Sequence, residues 1–356
     1  MSAFLDVFED ATKQGTKVPT NQYLSKGKYP IIDQGQNDVA GYTNREDGLF
    51  ENVPAIIFGD HTRVIKYVDK ACFLGADGVK LLKAKDSEAN YKYLYYVLSN
   101  AKIPDTGYNR HFKWLKEIDI PLYDEETQSN IVKELDKVTD LIVKRKQQLS
   151  KLDELVKARF IELFGDPKYN KNNLVKIGEI GALTSGGTPS RAKPEYFEGD
   201  IRWYSAGELN SLYLLDSVEH ISETALQQSS AKLFNKGTLM IGMYDTAAFK
   251  MGILTEDSSS NQACANLNPK QGYNIVWLYY LFDIMKPIFL QERRGVRQKN
   301  LSLSKIKEFE VPIAPFELQN QFSAFVEQTD KSKLEVQKSL DKLELLKKAL
   351  MQKYFG

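Results

Sequence analysis

Cysteine and histidine are scarce in this sequence of 356 residues, which contains two cysteines and three histidines. Cys72 and Cys264 are too few for a disulfide framework or a cysteine zinc site. His61, His111 and His220 stand far apart, without a second ligand at helical or hairpin spacing. We therefore expect no metal site.

Long apolar runs are also missing. No stretch approaches the ~20 residues needed to cross a bilayer. Residues 1–10 are acidic and mixed, unlike a secretory signal, in which a basic stretch precedes an apolar one. Hydrophobic residues at 42% and charged residues at 27% are typical of globular domains. The sequence predicts a cytoplasmic protein of two or three domains that contacts no membrane.

Motifs that carry common chemistries are absent as well. We find no glycine-rich cofactor loop after a strand and no Asn/Asp-Pro-Pro-aromatic turn to hold a flipped base. Residues 185–188 (SGGT) lack the lysine and the spacing of a phosphate-binding loop, and no Gly-x-Ser-x-Gly elbow occurs. A triad assembled from distant positions stays open on residue content alone. We predict a chain that binds and positions, without catalysis or a cofactor of its own.

The sequence also lacks an excess of positive charge. Lysine and arginine number 48 against 47 aspartates and glutamates, a formal net charge of +1. A nucleic-acid binder normally carries a basic domain, so this balance argues against one. Cationic residues nevertheless cluster locally near residues 13–28, 110–113 and 293–299. Such clusters fit either solvated loops or a local binding face.

What the sequence does contain is a long internal repeat. Residues 115–121 (LKEIDIP) reappear as residues 306–312 (IKEFEVP), a displacement of 191 residues. The displacement then holds without a gap, because Gln128 matches Gln319 and residues 164–165 (FG) match residues 355–356. A duplication this long predicts two similar units related by a pseudo-twofold axis, which suits a twofold partner such as duplex DNA.

The repeated part reads as a long helix. Residues 125–164 contain no glycine or proline, and Gly165 and Pro167 follow. Such a helix is about 60 Å long at 1.5 Å per residue and cannot bury its apolar stripe alone. We expect the two copies to pack antiparallel as an intramolecular coiled coil, with an intermolecular coiled coil as the alternative. The predicted seam comprises Leu135, Val138, Ile142, Leu149, Leu152, Val156 and Leu163, then Val326, Thr329, Val336, Leu340, Leu343, Leu350 and Tyr354.

The segments before the helices differ from them in residue pattern. Short β-type runs alternate with turns rich in glycine, proline and asparagine, and each segment has one helical patch. The fold class is therefore α+β, with two similar β-rich globular domains separated by the helices. The predicted boundaries are 1–119 for the first globular domain, 120–165 for the first helix, 166–310 for the second domain and 311–356 for the second helix.

Several of these runs resemble the target recognition domains in specificity subunits of type I restriction-modification enzymes. The resemblance lies in residues 185–191 (SGGTPSR), 195–203 (EYFEGDIRW) and 221–223 (ISE), and in the helix entries 121–128 and 312–319. The order domain, helix, domain, helix covers essentially the whole chain. The first domain departs from the pattern, since residues 16–19 (TKVP) stand where the second has residues 187–190 (GTPS).

The resemblance implies a non-catalytic subunit that binds double-stranded DNA with a split target, each domain recognising one half-site. It implies two methyltransferase subunits that use S-adenosylmethionine to methylate adenine and two restriction subunits that use ATP and Mg²⁺. Two alternatives stay open. One is the recognition subunit of a related system in which methyltransferase and nuclease are fused in a partner, and the other is a coiled-coil adaptor that binds no DNA.

Loop residues with forked or hydrogen-bonding side chains are the candidates for DNA contact, because they suit phosphates and base edges. The candidates are Arg45, His61, Arg63, Arg110, His111 and Lys113 in the first domain, and Arg191, Tyr244, Lys250, Arg293, Arg294, Arg297 and Lys299 in the second.

Apolar residues outside the seam are candidates for partner docking, since a pair of helices cannot cover them all. They could pack against the globular domains or receive helices of the methyltransferase subunits, and we expect some of each. They are Ile131, Leu141, Leu155, Phe160, Phe322, Phe325, Leu345 and Leu346.

Overall fold

The computed structural model describes residues 1–75, 77–107, 109–293 and 300–356. Its contacts divide the chain into two compact units. Unit 1 comprises Met1–Lys146 and Lys338–Gly356, and unit 2 comprises Gln147–Gln337. In the described part of the chain, no helix combines the length and the apolar character needed to span a bilayer.

The elements up to residue 164 form the globular part of unit 1 and the first long helix. They are β1 (Ser2–Ala3), α1 (Phe4–Val7), β2 (Phe8–Asp10), β3 (Tyr29–Ile32), β4 (Gly41–Thr43), β5 (Ala55–Gly59), β6 (Ile65–Val68), β7 (Phe73–Leu74), β8 (Val79–Ala84), α2 (Tyr91–Ser99), α3 (Phe112–Leu115), β9 (Asp119–Ile120) and α4 (Glu125–Phe164).

The remaining elements form the globular part of unit 2 and the second long helix. They are β10 (Leu174–Lys176), α5 (Ile177–Ile180), β11 (Gly181–Ser185), β12 (Ile201–Tyr204), β13 (Tyr213–Leu214), β14 (Glu219–Ile221), α6 (Glu223–Gln228), β15 (Leu233–Phe234), β16 (Leu239–Gly242), β17 (Met251–Leu254), β18 (Ser258–Ser260), β19 (Cys264–Pro269), α7 (Ile275–Phe289), α8 (Leu303–Glu308), β20 (Glu310–Pro312) and α9 (Phe316–Phe355).

The sheets of the two units have matching strand orders. Unit 1 has a sheet β2-β8-β5-β6 and a sheet β4-β3-β7, and β1 pairs with β9. Unit 2 has β11-β19-β16-β17-β13 and β14-β12-β18-β15, and β10 pairs with β20. The central strands consist of apolar residues and are buried along their whole length, as in β5 (AIIFG) and β16 (LMIG). The predicted duplication therefore extends to the globular domains, although their loops differ.

The match between the units holds residue by residue in the core. Ile57 of β5 pairs with Leu81, and Ile241 of β16 pairs with Ala265, both 184 residues further on. Asn90 accepts a hydrogen bond from a backbone N–H in the first turn of α2, and Asn274 does the same for α7. An asparagine cap supplies an acceptor that the first turn of a helix lacks.

The two long helices begin and end where the sequence predicts. The Asp124 carboxylate accepts the backbone N–H of Thr127 at 2.8 Å, which caps the start of α4. This hydrogen bond also lowers the pKa of Asp124. At the end of α4, Gly165 has a φ of 73°, a left-handed conformation that glycine adopts without steric cost.

Within each unit, one half of α4 packs on one half of α9. In unit 1, Lys146 Nζ lies 2.9 Å from Glu344 Oε1, and the Tyr354 hydroxyl donates to Glu134. In unit 2, Lys333 Nζ lies 2.7 Å from Asp153 Oδ1. The start of each helix therefore meets the end of the other. The antiparallel intramolecular pair and the α+β fold class are confirmed.

The predicted seam is mostly buried. Leu135, Val138, Ile142 and Val156 are at most 8% exposed on α4, as are Val326, Thr329, Val336, Leu340 and Leu350 on α9. The boundaries predicted for four separate segments differ from the contact units, which divide each long helix near its middle. Each unit thus combines a globular domain with half of both helices.

Three of the predicted docking residues require correction. Ile131 is 3% exposed, and Phe160 and Phe322 are fully buried. Phe160 lies in the core of unit 2, where its ring packs edge-on to Phe322 at 5.3 Å and stacks beside Trp277 at 6.2 Å. The periodicity of a helix pair gives no sign that a globular domain also covers the helix. These three side chains are unavailable to a partner.

The other docking candidates remain at the surface. Phe325 is half-buried, with the Arg159 guanidinium 5.9 Å from its ring centre. The leucines are exposed, at 37% for Leu141, 48% for Leu155, 67% for Leu345 and 46% for Leu346.

Replacing Phe160 with alanine should lower the free energy of unfolding of unit 2 by about 3–5 kcal/mol, because it leaves a cavity within an aromatic cluster. Leu155→Ala is the matched control on the same helix, and its exposed side chain should change that free energy by no more than about 0.5 kcal/mol. Denaturant titration followed by fluorescence measures both. Equal effects of the two variants would contradict this assignment of the core.

Candidate nucleic-acid interface

In unit 1, the turn between β5 and β6 is joined to the loop that precedes α3. The carbonyl oxygen of Asp60 accepts the backbone N–H of His111 at 2.8 Å and lies 3.0 Å from His111 Nδ1. The Asp60 carboxylate accepts the N–H of Phe112 at 2.8 Å and so caps α3. Asp60 is 5% exposed and His111 is fully buried. This pair therefore fixes the loop on the hairpin.

Further contacts in the same place hold two other predicted side chains. His61 Nδ1 lies 3.1 Å from the carbonyl oxygen of Asn109, and Arg63 Nη2 donates to Asp105 Oδ2 at 2.7 Å. Arg110 and Lys113 are exposed on the same loop and the following helix. The fold thus gathers these four predicted side chains in one arrangement of residues 60–63, 105–107 and 109–113, the turn–loop cluster of unit 1.

Gln34 and Thr62, two uncharged residues, complete this cluster. Gln34 donates from Nε2 to the carbonyl oxygen of Asp77 at 3.1 Å and accepts the N–H of His61 at 3.2 Å. The Thr62 hydroxyl donates to the Gln34 carbonyl at 2.6 Å. The available signal was the run of polar residues 33–38 (DQGQND) directly after an apolar strand.

Unit 2 repeats the arrangement at the turn between β16 and β17. The N–H of Leu301 donates to the carbonyl oxygen of Met243 at 2.8 Å, and the N–H of Asp245 donates to Asn300 Oδ1 at 3.0 Å. Arg293 Nη1 lies 3.5 Å from the carbonyl oxygen of Asp245. We call residues 243–250, 290–293 and 300–302 the turn–loop cluster of unit 2.

The remaining predicted residues of unit 2 divide into two groups. Tyr244 is 41% exposed in the cluster, and half-buried Lys250 donates to the carbonyl oxygen of Gly207 at 3.4 Å. Arg294, Arg297 and Lys299 lie outside the described residues. Of the predicted residues, the turn–loop cluster of unit 2 therefore contains Tyr244, Lys250 and Arg293.

Two predicted arginines lie on other loops and are engaged there. Arg45 Nη2 donates to Asp47 Oδ2 at 2.6 Å, and this contact lowers the pKa of Asp47. Arg191 binds the Glu219 carboxylate with both terminal nitrogens, and its guanidinium lies 4.2 Å from the ring centre of Phe197. Because both guanidinium groups already bind a carboxylate, each arginine would have to break that ion pair before it could contact DNA.

The chemistry offered by both clusters is hydrogen-bond donation and positive charge. Within the described ranges, no group of three or more histidine, cysteine, aspartate or glutamate side chains is placed to hold a metal ion. Burial raises the pKa of the Cys72 and Cys264 thiols to about 12, so neither forms a thiolate near neutral pH. The arrangement suits binding to phosphates and base edges.

Sequence comparison identifies the domain that carries these clusters. The family described as the type I restriction modification DNA specificity domain matches residues 3–152 and again residues 169–345. The chain belongs to this family. The resemblance found in residues 185–203 and in the helix entries is confirmed, and each match spans one globular domain and most of the long helix that follows it.

Two relatives of this chain are specificity subunits of type I restriction enzymes. It is 26% identical over 336 residues to the specificity subunit of the type I restriction enzyme EcoR124I/EcoR124II from Escherichia coli, covering 86% of this chain and 80% of the relative. It is 31% identical over 142 residues to the MjaIX specificity subunit of Methanocaldococcus jannaschii, covering 38% and 33%.

Solved structures share the fold of this specificity chain. The crystal structure of a type I S subunit from M. genitalium matches with a TM-score of 0.59 and 18% identity over 99% of this chain and 95% of that one. A chain from a structural study of complex assembly and conformational transition in a type I system matches with a TM-score of 0.58 and 15% identity, with the same coverage.

The prediction that His111 contacts DNA is wrong. Its side chain is fully buried and faces the Asp60 carbonyl oxygen and, at 3.4 Å, the Thr106 hydroxyl. A basic run such as residues 110–113 does not reveal which of its members turns inward. His111 anchors the loop on which its neighbours Arg110 and Lys113 are displayed. The other described candidates stay predictions.

Replacing Asp60 with alanine should release the loop before α3, since the carboxylate that caps this helix is lost. We expect amide hydrogen exchange in residues 105–115 to accelerate at least about tenfold while the β5 and β8 amides keep their protection. Asp86→Ala, at an exposed aspartate elsewhere in unit 1, is the control. Unchanged exchange in residues 105–115 would show that Asp60 does not hold the loop.

Proposed function

We propose that this chain is the DNA-recognition subunit of a type I restriction-modification complex and that each of its units binds one half of a bipartite target. The observation that carries the proposal is the recurrence of the turn–loop cluster in both units of a DNA specificity chain. Two sites that share a fold but differ in loop residues suit two different short sequences.

Within unit 1, the exposed cations suit the DNA backbone, and Arg63, whose direction is fixed, suits a base edge. Arg110 and Lys113 are exposed and neither has a carboxylate partner among the described residues, so they can neutralise phosphates. Arg63 is held by Asp105 in a defined direction. Arg63 contacts this carboxylate through Nη2 alone, whereas Arg45 and Arg191 each use two nitrogens on theirs. A guanidinium held in this way can still bind guanine N7 and O6, at a cost of about 1–3 kcal/mol for a wrong base.

The proposal includes partners that supply the chemistry. The chain is non-catalytic, and two methyltransferase subunits with S-adenosylmethionine methylate adenine in the target. Two restriction subunits with ATP and Mg²⁺ cut DNA. Exposed leucines on the long helices suit the methyltransferase subunits, because apolar side chains at helical spacing can complete a helix bundle.

Arg110→Ala combined with Lys113→Ala should weaken DNA binding by the full chain in complex with its methyltransferase. Because two phosphate contacts are lost, the slope of log affinity against log salt should become shallower by about 2. Titrations at several salt concentrations measure this slope. Lys28→Ala is the control, since the Lys28 ammonium already pairs with Glu46. A slope that matches the wild type would count against phosphate contacts at this cluster.

Leu155→Glu and Leu346→Glu, made separately, should each reduce the amount of methyltransferase that co-purifies with the chain. A carboxylate at an exposed position leaves the helix intact but prevents apolar packing. Leu215→Glu, at an exposed leucine of the globular part of unit 2, is the control. If both helix variants retain the methyltransferase at the wild-type ratio, docking does not occur at these leucines.

The decisive experiment is to express the chain with its methyltransferase and to map adenine methylation across a genome. One bipartite motif should appear. Replacing Lys250 and Arg293 together with alanine should change the base preference in one half of the motif and leave the other half and the gap intact. Methylation without a split motif, or changes in both halves, would overturn the proposal.

A further inference from the structure

The loop that follows β3 in unit 1 presents amide side chains beside the turn–loop cluster. Residues 33–38 (DQGQND) leave the buried end of β3, and Gln36 and Asn37 are exposed. No other described residue has a hydrogen bond to either of these side-chain amides. The cluster therefore has neutral donor–acceptor groups at its side as well as cations.

A buried lysine holds this loop. Lys66 of β6 is 5% exposed, and its Nζ donates to the carbonyl oxygen of Asn37 at 2.5 Å and lies 3.6 Å from Asp33 Oδ1. Burial lowers the pKa of Lys66, and Asp33 opposes that shift. Burying an ammonium group carries a desolvation cost, so apolar packing alone does not explain why a lysine occupies this position.

The fold of the domain does not require this lysine. Lys66 pairs with Ile57 across the β5–β6 hairpin, and at the matching place in unit 2 Met251 pairs with Ile241. An unbranched apolar side chain therefore serves the same core position in the other copy. The difference between the copies lies in the loop that Lys66 reaches.

The other end of the loop is fixed to the cluster. The N–H of Gly35 donates to Asp33 Oδ1 at 2.8 Å, which forms a tight turn. Gln34 binds the backbone of His61 and accepts the Thr62 hydroxyl. Gln36 and Asn37 thus project from a loop that is held on both sides, and such preorganisation is what sequence recognition needs.

In unit 2 a lysine of the β16–β17 hairpin also contacts the matching loop. Lys250 reaches the carbonyl oxygen of Gly207 in the loop that follows β12, the counterpart of β3. The Ser205 N–H donates to Glu208 Oε2 at 2.7 Å and stiffens that loop, which also carries exposed Asn210. The Asn210 amide nitrogen donates to the same carbonyl oxygen of Gly207 at 2.8 Å, so this amide is engaged within its own loop, unlike Gln36 and Asn37 of unit 1.

We propose that Gln36 and Asn37 determine specificity in unit 1 by binding the major-groove edge of adenine in its half-site, an inference that rests on the proposed function. A carboxamide offers one acceptor and one donor together, which match N6 and N7 of adenine. Phosphate is a poor alternative, because Asp33 and Asp38 flank the amides and repel anions. Lys66 acts as a positioning residue.

The test uses the full chain expressed with its methyltransferase, and the readout is the methylated motif across a genome. The half-site of unit 1 is the half that Lys250→Ala with Arg293→Ala leaves unchanged. Gln36→Ala with Asn37→Ala should relax the requirement for adenine at one or two positions of that half, by about 5- to 150-fold each. The gap and the other half should stay as in the wild type.

Two further variants separate recognition from folding. Asn21→Ala with Gln22→Ala removes an equally exposed pair of amides from another loop of unit 1 and should leave the motif unchanged. Lys66→Met introduces the residue found at the matching place in unit 2, so the midpoint temperature of thermal unfolding of the complex should not fall. It should nevertheless relax the same adenine positions, because the loop is no longer held.

The outcomes distinguish this inference from the function on which it rests. If the wild-type chain gives no bipartite motif, the proposed function fails. If it gives one and the Gln36/Asn37 variant leaves the motif intact, changes the other half, or abolishes methylation in an assembled complex, the amides do not recognise adenine and the inference is overturned.

Discussion

An equivalent aromatic contact joins the globular domain of each unit to the long helices. In unit 1 the rings of Tyr93 and Phe355 meet edge to face at 5.7 Å and 66°. In unit 2 the equivalent rings of Trp277 and Phe164 meet at 5.8 Å and 68°. Aromatic pairs in this geometry contribute about 0.5–1.5 kcal/mol beyond their buried area. The turn–loop clusters inherit their orientation on the helices from these contacts.

Additional hydrogen bonds differ between the copies while the aromatic contact stays the same. The Tyr93 hydroxyl donates to the carbonyl oxygen of Pro121 at 2.5 Å, and the Tyr96 hydroxyl donates to Asp136 Oδ1 at 2.5 Å. In unit 2 the counterpart of Tyr93 is Trp277, whose ring stacks beside Phe160 instead. Burial of large rings thus fixes the joint, and the polar contacts around it are free to change.

The helices were predictable because their periodicity and end signals act over neighbouring residues. The limits of α4 at Glu125–Phe164 and most of its buried seam follow from spacing, Asp124 and Gly165. Burial of Phe160 and Phe322 could not be predicted in this way, since it depends on a globular domain that is distant in sequence. A repeat reveals that two domains share a fold, but it does not show which helix faces they cover.

Prediction of the site was limited by its starting point, which was charge. Arg63, Arg110 and Lys113 do lie in one cluster, but their placement depends on Asp60, Gln34 and buried His111, whose roles appear only in the hydrogen bonds. Arg45 and Arg191 have the expected residue type and lie on loops where carboxylates already occupy them. Residue type thus indicated which side chains could contact a nucleic acid, and backbone contacts decided which ones are displayed together.

The division of both helices between the units affects how the chain is made. Unit 1 includes Lys338–Gly356, so its first 146 residues leave the ribosome well before the helical segment that completes their core. Tyr93 has no Phe355 to pack against until translation has passed residue 355. A polypeptide that stops before Phe355 would therefore expose this aromatic surface to chaperones and proteases, whereas one that includes the end of the second long helix buries it.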